Sequence, residues 1–298
     1  MNISTPELLV DERAMLGEGP SWDAARNMLY WVDIIPGILH IHHPESGEDD
    51  TIEIGKKIGC VTPTQGGRVM MGLKDGLALY EPHSAAGLQY IARPEAELPG
   101  NRFNDGKCDS RGRLLAGTMD DAEEATTGSL YSLDSAGAVK KLLGGIGISN
   151  GLAWSPDYKM MYYIDTPTRS VTAFDYDLQS GDIAHPRAVV TIPDGMGWPD
   201  GMTSDASGRL WVALWGGAAL TVWDPASGGL LEKIAIPAKN VTSCVFGGVD
   251  MNELYITSAR KGLDSSTLAE YPATGGLFRI KTGVVGMPTF AFDDSTLG

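Results

Sequence analysis

Cysteine is scarce in this chain of 298 residues: Cys60, Cys108 and Cys244 are an odd number at unrelated spacings, with no Cys-x-x-Cys pair. That excludes a disulfide framework and a thiolate zinc cluster as organising elements. Two of the three occupy apolar slots at or near the start of a strand, where a free cysteine acts as a small hydrophobe; the usage fits a reducing cytoplasm. Long apolar runs are missing too, none approaching the roughly 20 residues of a membrane span. The stretch Met1 to Pro6 has neither the basic flank nor the apolar run of a secretory signal. No membrane partner is expected, and the expected location is cytoplasmic. Positive charge is in short supply, with 23 Lys and Arg against 38 Asp and Glu and a net charge of −15. A nucleic-acid surface would be basic, so no nucleic-acid partner is expected. Helical periodicity is also scarce: Asp120 to Thr127 and Asp264 to Glu270 have room for a turn or two each, without an apolar stripe long enough to pack.

What the chain does contain is a unit recurring every 40–50 residues or so, the period expected of propeller blades. It reads most clearly as Gly19-Pro-Ser-Trp-Asp-Ala-Ala-Arg-Asn-Met-Leu-Tyr-Trp-Val-Asp33, Gly151-Leu-Ala-Trp-Ser-Pro-Asp-Tyr-Lys-Met-Met-Tyr-Tyr-Ile-Asp165 and Gly201-Met-Thr-Ser-Asp-Ala-Ser-Gly-Arg-Leu-Trp-Val-Ala-Leu214. Looser copies start at Cys60, Gly106 and Cys244. Each is a short apolar strand, a turn of Asp, Gly, Ser or Asn, and a second strand rich in Leu, Tyr, Trp, Ile or Val, which is a hairpin signature. Strands are predicted at Met28 to Ile34, Val69 to Tyr80, Met160 to Ile164, Val171 to Tyr176, Leu210 to Leu214, Ala219 to Asp224, Leu254 to Thr257 and Gly276 to Ile280. Successive hairpins without crossover helices exclude a doubly wound sheet. With no linker or low-complexity tract interrupting the repeat, residues 1–298 are expected to form a single all-β domain, a six-bladed β-propeller.

Oxygen-bearing side chains stand just before the first strand of several units: Glu18 before Gly19, Asn150 before Gly151, Asp200 before Gly201, and Asn104 in Asn101-Arg-Phe-Asn-Asp-Gly106. In a radially repeated fold, equivalent positions lie at one height around one axis, so these side chains are expected to converge on the central channel. Each taken alone is equally a turn residue, since Asn and Asp before Gly favour turns; Asp33 and Asp165 read as structural turn acceptors. Gly147-Ile-Ser-Asn-Gly151 matches the nucleophile-elbow pattern, but that motif has meaning only at a strand-to-helix turn, and here a blade strand follows. His40 and His42 alternate onto one strand face, which reads as a solvated face in preference to a metal pair.

Several motifs together resemble the senescence marker protein / gluconolactonase / luciferin-regenerating enzyme (regucalcin-like) family. They are Leu16-Gly-Glu-Gly-Pro-Ser-Trp22, Asn101-Arg-Phe-Asn-Asp-Gly-Lys107, Ala116-Gly-Thr-Met119, Ile148-Ser-Asn-Gly-Leu152, Pro199-Asp-Gly-Met202 and Ser243-Cys-Val-Phe-Gly-Gly248, in order along nearly the whole chain. The resemblance implies a six-bladed propeller with one divalent cation near the mouth of the channel, held by residues matching Glu18, Asn150 and Asp200. It implies substrate contacts at Arg102 and Asn104, and a sugar-acid lactone as the small-molecule substrate. The family's acidic substrate contact falls shortly after Gly-Thr-Met, where this chain offers Asp120, Asp121, Glu123 and Glu124; Asp121 is the candidate, with the others open.

Two carboxylates and an amide are hard oxygen donors, suited to Ca²⁺, Mg²⁺ or Mn²⁺, with Zn²⁺ also able to accept carboxylate oxygen. Three protein ligands leave positions open for water or substrate, as a catalytic metal requires. Lactone hydrolysis needs a polarised carbonyl, an attacking water and a stabilised oxyanion, and a divalent ion serves these needs as a Lewis acid. Asp200 is the candidate general base, while Arg102 and Asn104 would orient the ester. A propeller phosphotriesterase or arylesterase would carry a fuller ring of Asn and Asp ligands, which Gly59-Cys60 and Ser243-Cys244 lack. A non-catalytic calcium-binding propeller is the third reading.

Overall fold

A computed structural model of the chain describes residues 3–297. Their 24 strands form six four-stranded antiparallel sheets; in blades 1 to 5 each is a meander whose first strand lies nearest the axis. Blades 1 to 5 take up residues 17–53, 58–92, 101–146, 149–191 and 198–235. Blade 6 takes its three inner strands from 240–281 and its outermost from Glu7–Val10, which pairs antiparallel with Leu277–Lys281. The two ends of the chain thereby close the ring in one sheet. The inner strand of every blade packs against those of its two neighbours, and blade 6 meets blade 1. The fold is the six-bladed β-propeller that the repeat predicts.

Apolar residues fill the spaces between blades. Trp211 of blade 5 meets Phe246 of blade 6 edge-on at 5.3 Å, and Trp22 of blade 1 stacks on Tyr255 of blade 6 at 5.5 Å. Because each sheet is covered on both faces, second strands such as Leu210–Trp215 read as continuous apolar runs and not as alternation. The same cover overturns the solvated reading of His40 and His42. His40 is fully buried, stacked on Trp31 with ring centroids 3.9 Å apart, and its Nδ1 meets the Asp49 carboxylate at 2.8 Å. His42 is buried beside Tyr255, and burial lowers its pKa.

Carboxylates close the turns at both ends of the blades. The amides of Met15 and Leu16 donate to Asp33, and those of Gly147 and Ile148 to Asp165, so both act as the expected turn acceptors. At the opposite end Asp23, Asp109 and Asp205 each cap a hairpin and bind an arginine three or four residues on. Blade 2 has Thr64 at the corresponding place, and the carboxylate comes from the other end of the chain. Asp294 accepts from the Gly66 amide at 2.8 Å and from Arg68 Nη2 at 2.9 Å. One strand expectation and one helix expectation need correction. Val69 to Tyr80 is a hairpin of Val69–Leu73 and Gly76–Tyr80, broken at Lys74 and Asp75. Ser265–Glu270 forms the short helix foreseen there, N-capped by Asp264, whereas Asp120 to Thr127 holds a loop in which Asp120 gathers the amides of Glu124 and Ala125. Among the described residues no helix is long and apolar enough to cross a membrane.

Candidate metal centre and substrate pocket

The inner strand of every blade carries a pairing irregularity at nearly the same register. It lies between Glu18 and Ser21, Ile58 and Cys60, Phe103 and Gly106, Ser149 and Leu152, Pro199 and Met202, and Val241 and Ser243. A β-bulge breaks the up-down alternation and re-aims a side chain, and here it serves side chains that line the pocket at the channel mouth. Glu18, Asn104, Asn150 and Asp200 stand at these bulges, while blades 2 and 6 place Gly59 and Thr242 there. The glycines that follow are there for space. A Cβ on Gly201 would lie 2.1 Å from the Ser243 hydroxyl, and one on Gly151 would lie 2.9 Å from the carbonyl oxygen of Asp200. Converging inner strands, and not a turn, set those two positions.

Glu18, Arg102, Asn104, Asn150 and Asp200 are all buried and together line a pocket of ≈ 490 Å³ at the channel mouth. The carboxyl groups of Glu18 and Asp200 lie within hydrogen-bonding reach of each other. Burial raises the pKa of both; the Asp105 carboxylate pushes each further up, and Glu18 does the same to Asp200. Neither carboxylate has an ion-pair partner among the described residues, although the field of Arg102 helps Glu18 to ionise. Two buried like charges without a counter-ion are costly, and a divalent cation between them would remove that cost. The donor set therefore fits such an ion, with two carboxylates and one amide in place of three carboxylates or imidazoles.

Asn150 is held in place by its neighbours. Its Nδ2 donates to Thr166 Oγ1 at 2.8 Å, and that hydroxyl donates to the Pro199 carbonyl at 2.8 Å. Asn104 Nδ2 donates to the Ser149 carbonyl at 2.7 Å and to Asn150 Oδ1 at 3.2 Å, while its own Oδ1 accepts from Arg102 Nη1 at 2.6 Å. A chain of hydrogen bonds thus runs from the guanidinium through Asn104 to Asn150 and on to Thr166. Asp121 stands behind it. It accepts from Arg102 Nε at 3.1 Å and is bracketed by the ammonium groups of Lys57 and Lys74, each at 2.7 Å. Burial pushes its carboxyl up, but the two lysines outweigh this and hold it at about 2.

Asp121 is not among the residues lining the pocket, so of the four carboxylates left open in that loop the structure brings Glu123 to the site and not the named candidate. Glu123 makes an ion pair with Lys261. Lys261, Trp198, Trp215 and Thr166 complete the wall and carry no motif by which sequence could single them out. Deeper in the channel, Asp105 is buried and Lys107 half-buried, with no ion pair between them; Lys107 Nζ donates to the Met202 carbonyl at 2.8 Å. The nucleophile-elbow pattern fails structurally, since Ser149 is fully buried in a strand with its hydroxyl accepting from Tyr163 at 2.7 Å.

Comparisons with known proteins agree with this architecture. Residues 16–260 match the SMP-30/Gluconolactonase/LRE-like region. The chain is 40% identical over 288 residues to the putative sugar lactone lactonase YvrE of Bacillus subtilis, covering 96% of this chain and 98% of that protein. It is 39% identical over 296 residues to regucalcin of Bos taurus, covering 96% and 97%. Among solved structures, a luciferin-regenerating enzyme superposes with a TM-score of 0.90 at 34% identity over 97% of this chain and 99% of that one. Regucalcin from Agrobacterium tumefaciens, described as a calcium-binding protein, gives 0.92 at 29% over 97% of each. By its profile match, its full-length relatives and its fold, the chain belongs to the SMP-30/gluconolactonase/LRE-like family.

Proposed function

We propose that this protein hydrolyses a sugar-acid lactone to the aldonic acid with the help of one divalent cation held by Glu18, Asn150 and Asp200. The observation that carries this reading is the pair of buried, mutually facing carboxylates without a counter-ion, set in a pocket that also presents an anchored guanidinium and two oriented amides. When bound, the cation would supply Lewis-acid activation of the ester carbonyl and of water. Asp200 serves as general base: its carboxylate, beside the proposed cation, accepts the proton of the attacking water. The guanidinium of Arg102 and the amide of Asn104 bind substrate oxygens and hold the ring in register, with Asp121 fixing the arginine from outside the pocket. The indoles of Trp198 and Trp215 form an apolar wall against which the C–H face of a sugar lactone packs. The names of relatives support the substrate class, since one is a putative sugar lactone lactonase and others belong to the gluconolactonase family.

The test is a panel of aldonolactones assayed with purified protein before and after chelation. Activity should vanish with chelator and return, to different degrees, with Mn²⁺, Zn²⁺, Ca²⁺ or Mg²⁺. Full turnover by protein shown to be metal-free by elemental analysis would refute the mechanism.

A further inference from the structure

Glu123 belongs to blade 3 and Lys261 to blade 6, which stand opposite each other in a six-membered ring. Both side chains line the pocket that holds the metal candidates, and they meet in an ion pair, so the pair runs across the mouth of the site from one side of the axis to the other. The backbones on either side are pinned. The amide of Lys261 donates to the Met15 carbonyl at 2.9 Å and its carbonyl accepts from Asn240 Nδ2 at 3.1 Å. Glu123 sits at φ 62 in a loop held by its own amide bonding the Asp120 carbonyl and by the Asp120 carboxylate taking the amides of Glu124 and Ala125. The bar across the mouth therefore consists of side chains alone, on fixed supports. Their exposures, 37% for Lys261 and 39% for Glu123, place the contact in water, where ion pairs hold weakly and are screened by salt. A rotamer change on the picosecond-to-nanosecond scale opens it, with no movement of the fold.

Resting on the lactonase reading, we infer that the Glu123–Lys261 ion pair is a latch that substrate entry must break, and that these two residues set which lactones the pocket admits. Small lactones pass beside the bar; bulky ones wait for it to open. The cost of opening falls on capture of the substrate, so it appears in kcat/KM and not in kcat.

Neutral lactones are the appropriate probes, since their own charge adds no salt dependence. For a lactone with a large neutral substituent, kcat/KM of the unaltered holoenzyme should rise about 2–5-fold between low and 0.5 M NaCl with kcat constant, on the order expected for screening an exposed pair. Lys261→Met and Glu123→Gln should each reach the high-salt value at low salt, and the double variant should gain no more than either alone. The charge swap, Glu123→Lys with Lys261→Glu, should restore the unaltered behaviour. Additive losses in the single variants, or a swap that fails to restore salt dependence, would mean that the two residues act separately as substrate contacts and would overturn the latch. A carbodiimide provides a readout independent of turnover, since it condenses a paired carboxylate and ammonium into an amide with loss of water. Mass spectrometry should find the Glu123 and Lys261 peptides joined, and the joined protein should lose turnover of the bulky lactone. Coupling without loss of turnover, or no coupling, overturns the latch alone; absence of lactone hydrolysis before coupling overturns the lactonase reading on which it rests.

Discussion

At Asp200 two demands fall on one carboxylate, charge for a cation and basicity for a proton, and the two are separable by substitution. Asp200→Ala should abolish turnover in a folded protein, whereas Asp200→Asn should retain more metal and still be nearly inactive. Rates near the unaltered enzyme in metal-loaded Asp200→Asn would exclude Asp200 as the base. Arg102 and Asn104 differ, because they bind each other and make no hydrogen bond to Glu18 or Asp200. Arg102→Ala should leave metal affinity close to unaltered while lowering kcat/KM for a polyhydroxylated lactone about 10–100-fold, at ~1.4 kcal/mol per tenfold. A simple aliphatic lactone should suffer less, and loss of the metal in that variant would defeat this division of roles. The paired acids also make stability depend on pH when the metal is removed. Burial, with the Asp105 charge adding to it, pushes Glu18 up to about 8, so the folded state holds a proton that the unfolded chain releases near its ordinary 4.5. The stability linked to that proton is present below pH 4.5 and lost as pH rises through about 8. Chelated protein should therefore melt at progressively lower temperature across that window, and Glu18→Gln should flatten the slope.

The element that shapes the site is the bulge repeated in each inner strand, and its surroundings tolerate little. Glycine follows three of the four site positions directly, at Gly19, Gly151 and Gly201, and the fourth after one residue, at Gly106. At Gly201 the neighbouring blade leaves no space for a methyl group. Gly201→Ala should destabilise the fold by about 1–3 kcal/mol, the usual cost of forced overpacking, and should lower turnover by shifting Asp200. Gly87→Ala, where a Cβ would meet nothing within 4 Å, is the control and should be close to neutral in the same denaturant titration. The bulge was not legible beforehand, because a register shift is a property of two paired strands. What could be read was its consequence, an oxygen-bearing residue standing before glycine in several units.

Across the whole molecule, both chain ends are structural parts. The strand Glu7–Val10 completes blade 6, and Asp294 lends blade 2 the carboxylate that blades 1, 3 and 5 carry within their own hairpins. Asp294 is buried, which pushes its carboxyl up, but the Gly66 amide, the Thr64 hydroxyl and the Arg68 guanidinium outweigh this and hold it below the ordinary carboxylate range. Stability from this contact is present above the unfolded pKa near 3.9 and lost as pH falls through the lower folded value. Asp294→Ala should cost about 1–3 kcal/mol in urea unfolding at neutral pH, since it removes the acceptor of the Gly66 amide and leaves the part-buried Arg68 guanidinium without its carboxylate, while leaving lactone turnover unchanged. A loss of turnover at full stability would show that the tail acts on the site.

Sequence alone determined the class of fold and the number of blades, because a hairpin repeat of constant period has few ways to bury its strands other than around an axis. It also singled out Glu18, Asn104, Asn150 and Asp200, since a radial repeat turns equal register into equal height, and Arg102 through the family resemblance. Tertiary structure decided the rest. Which acid of the loop after Met119 reaches the pocket depended on the path of that loop, which carries Glu123 inward and leaves Asp121 outside to anchor Arg102. The burial of His42 depended on a neighbouring blade, distant in sequence, supplying Tyr255. Lys261, the two indoles and Asp294 gain their places only from strands that the chain brings together after long separations. Period and local chemistry are written in one segment at a time; a wall, a latch or a lent carboxylate exists only between segments.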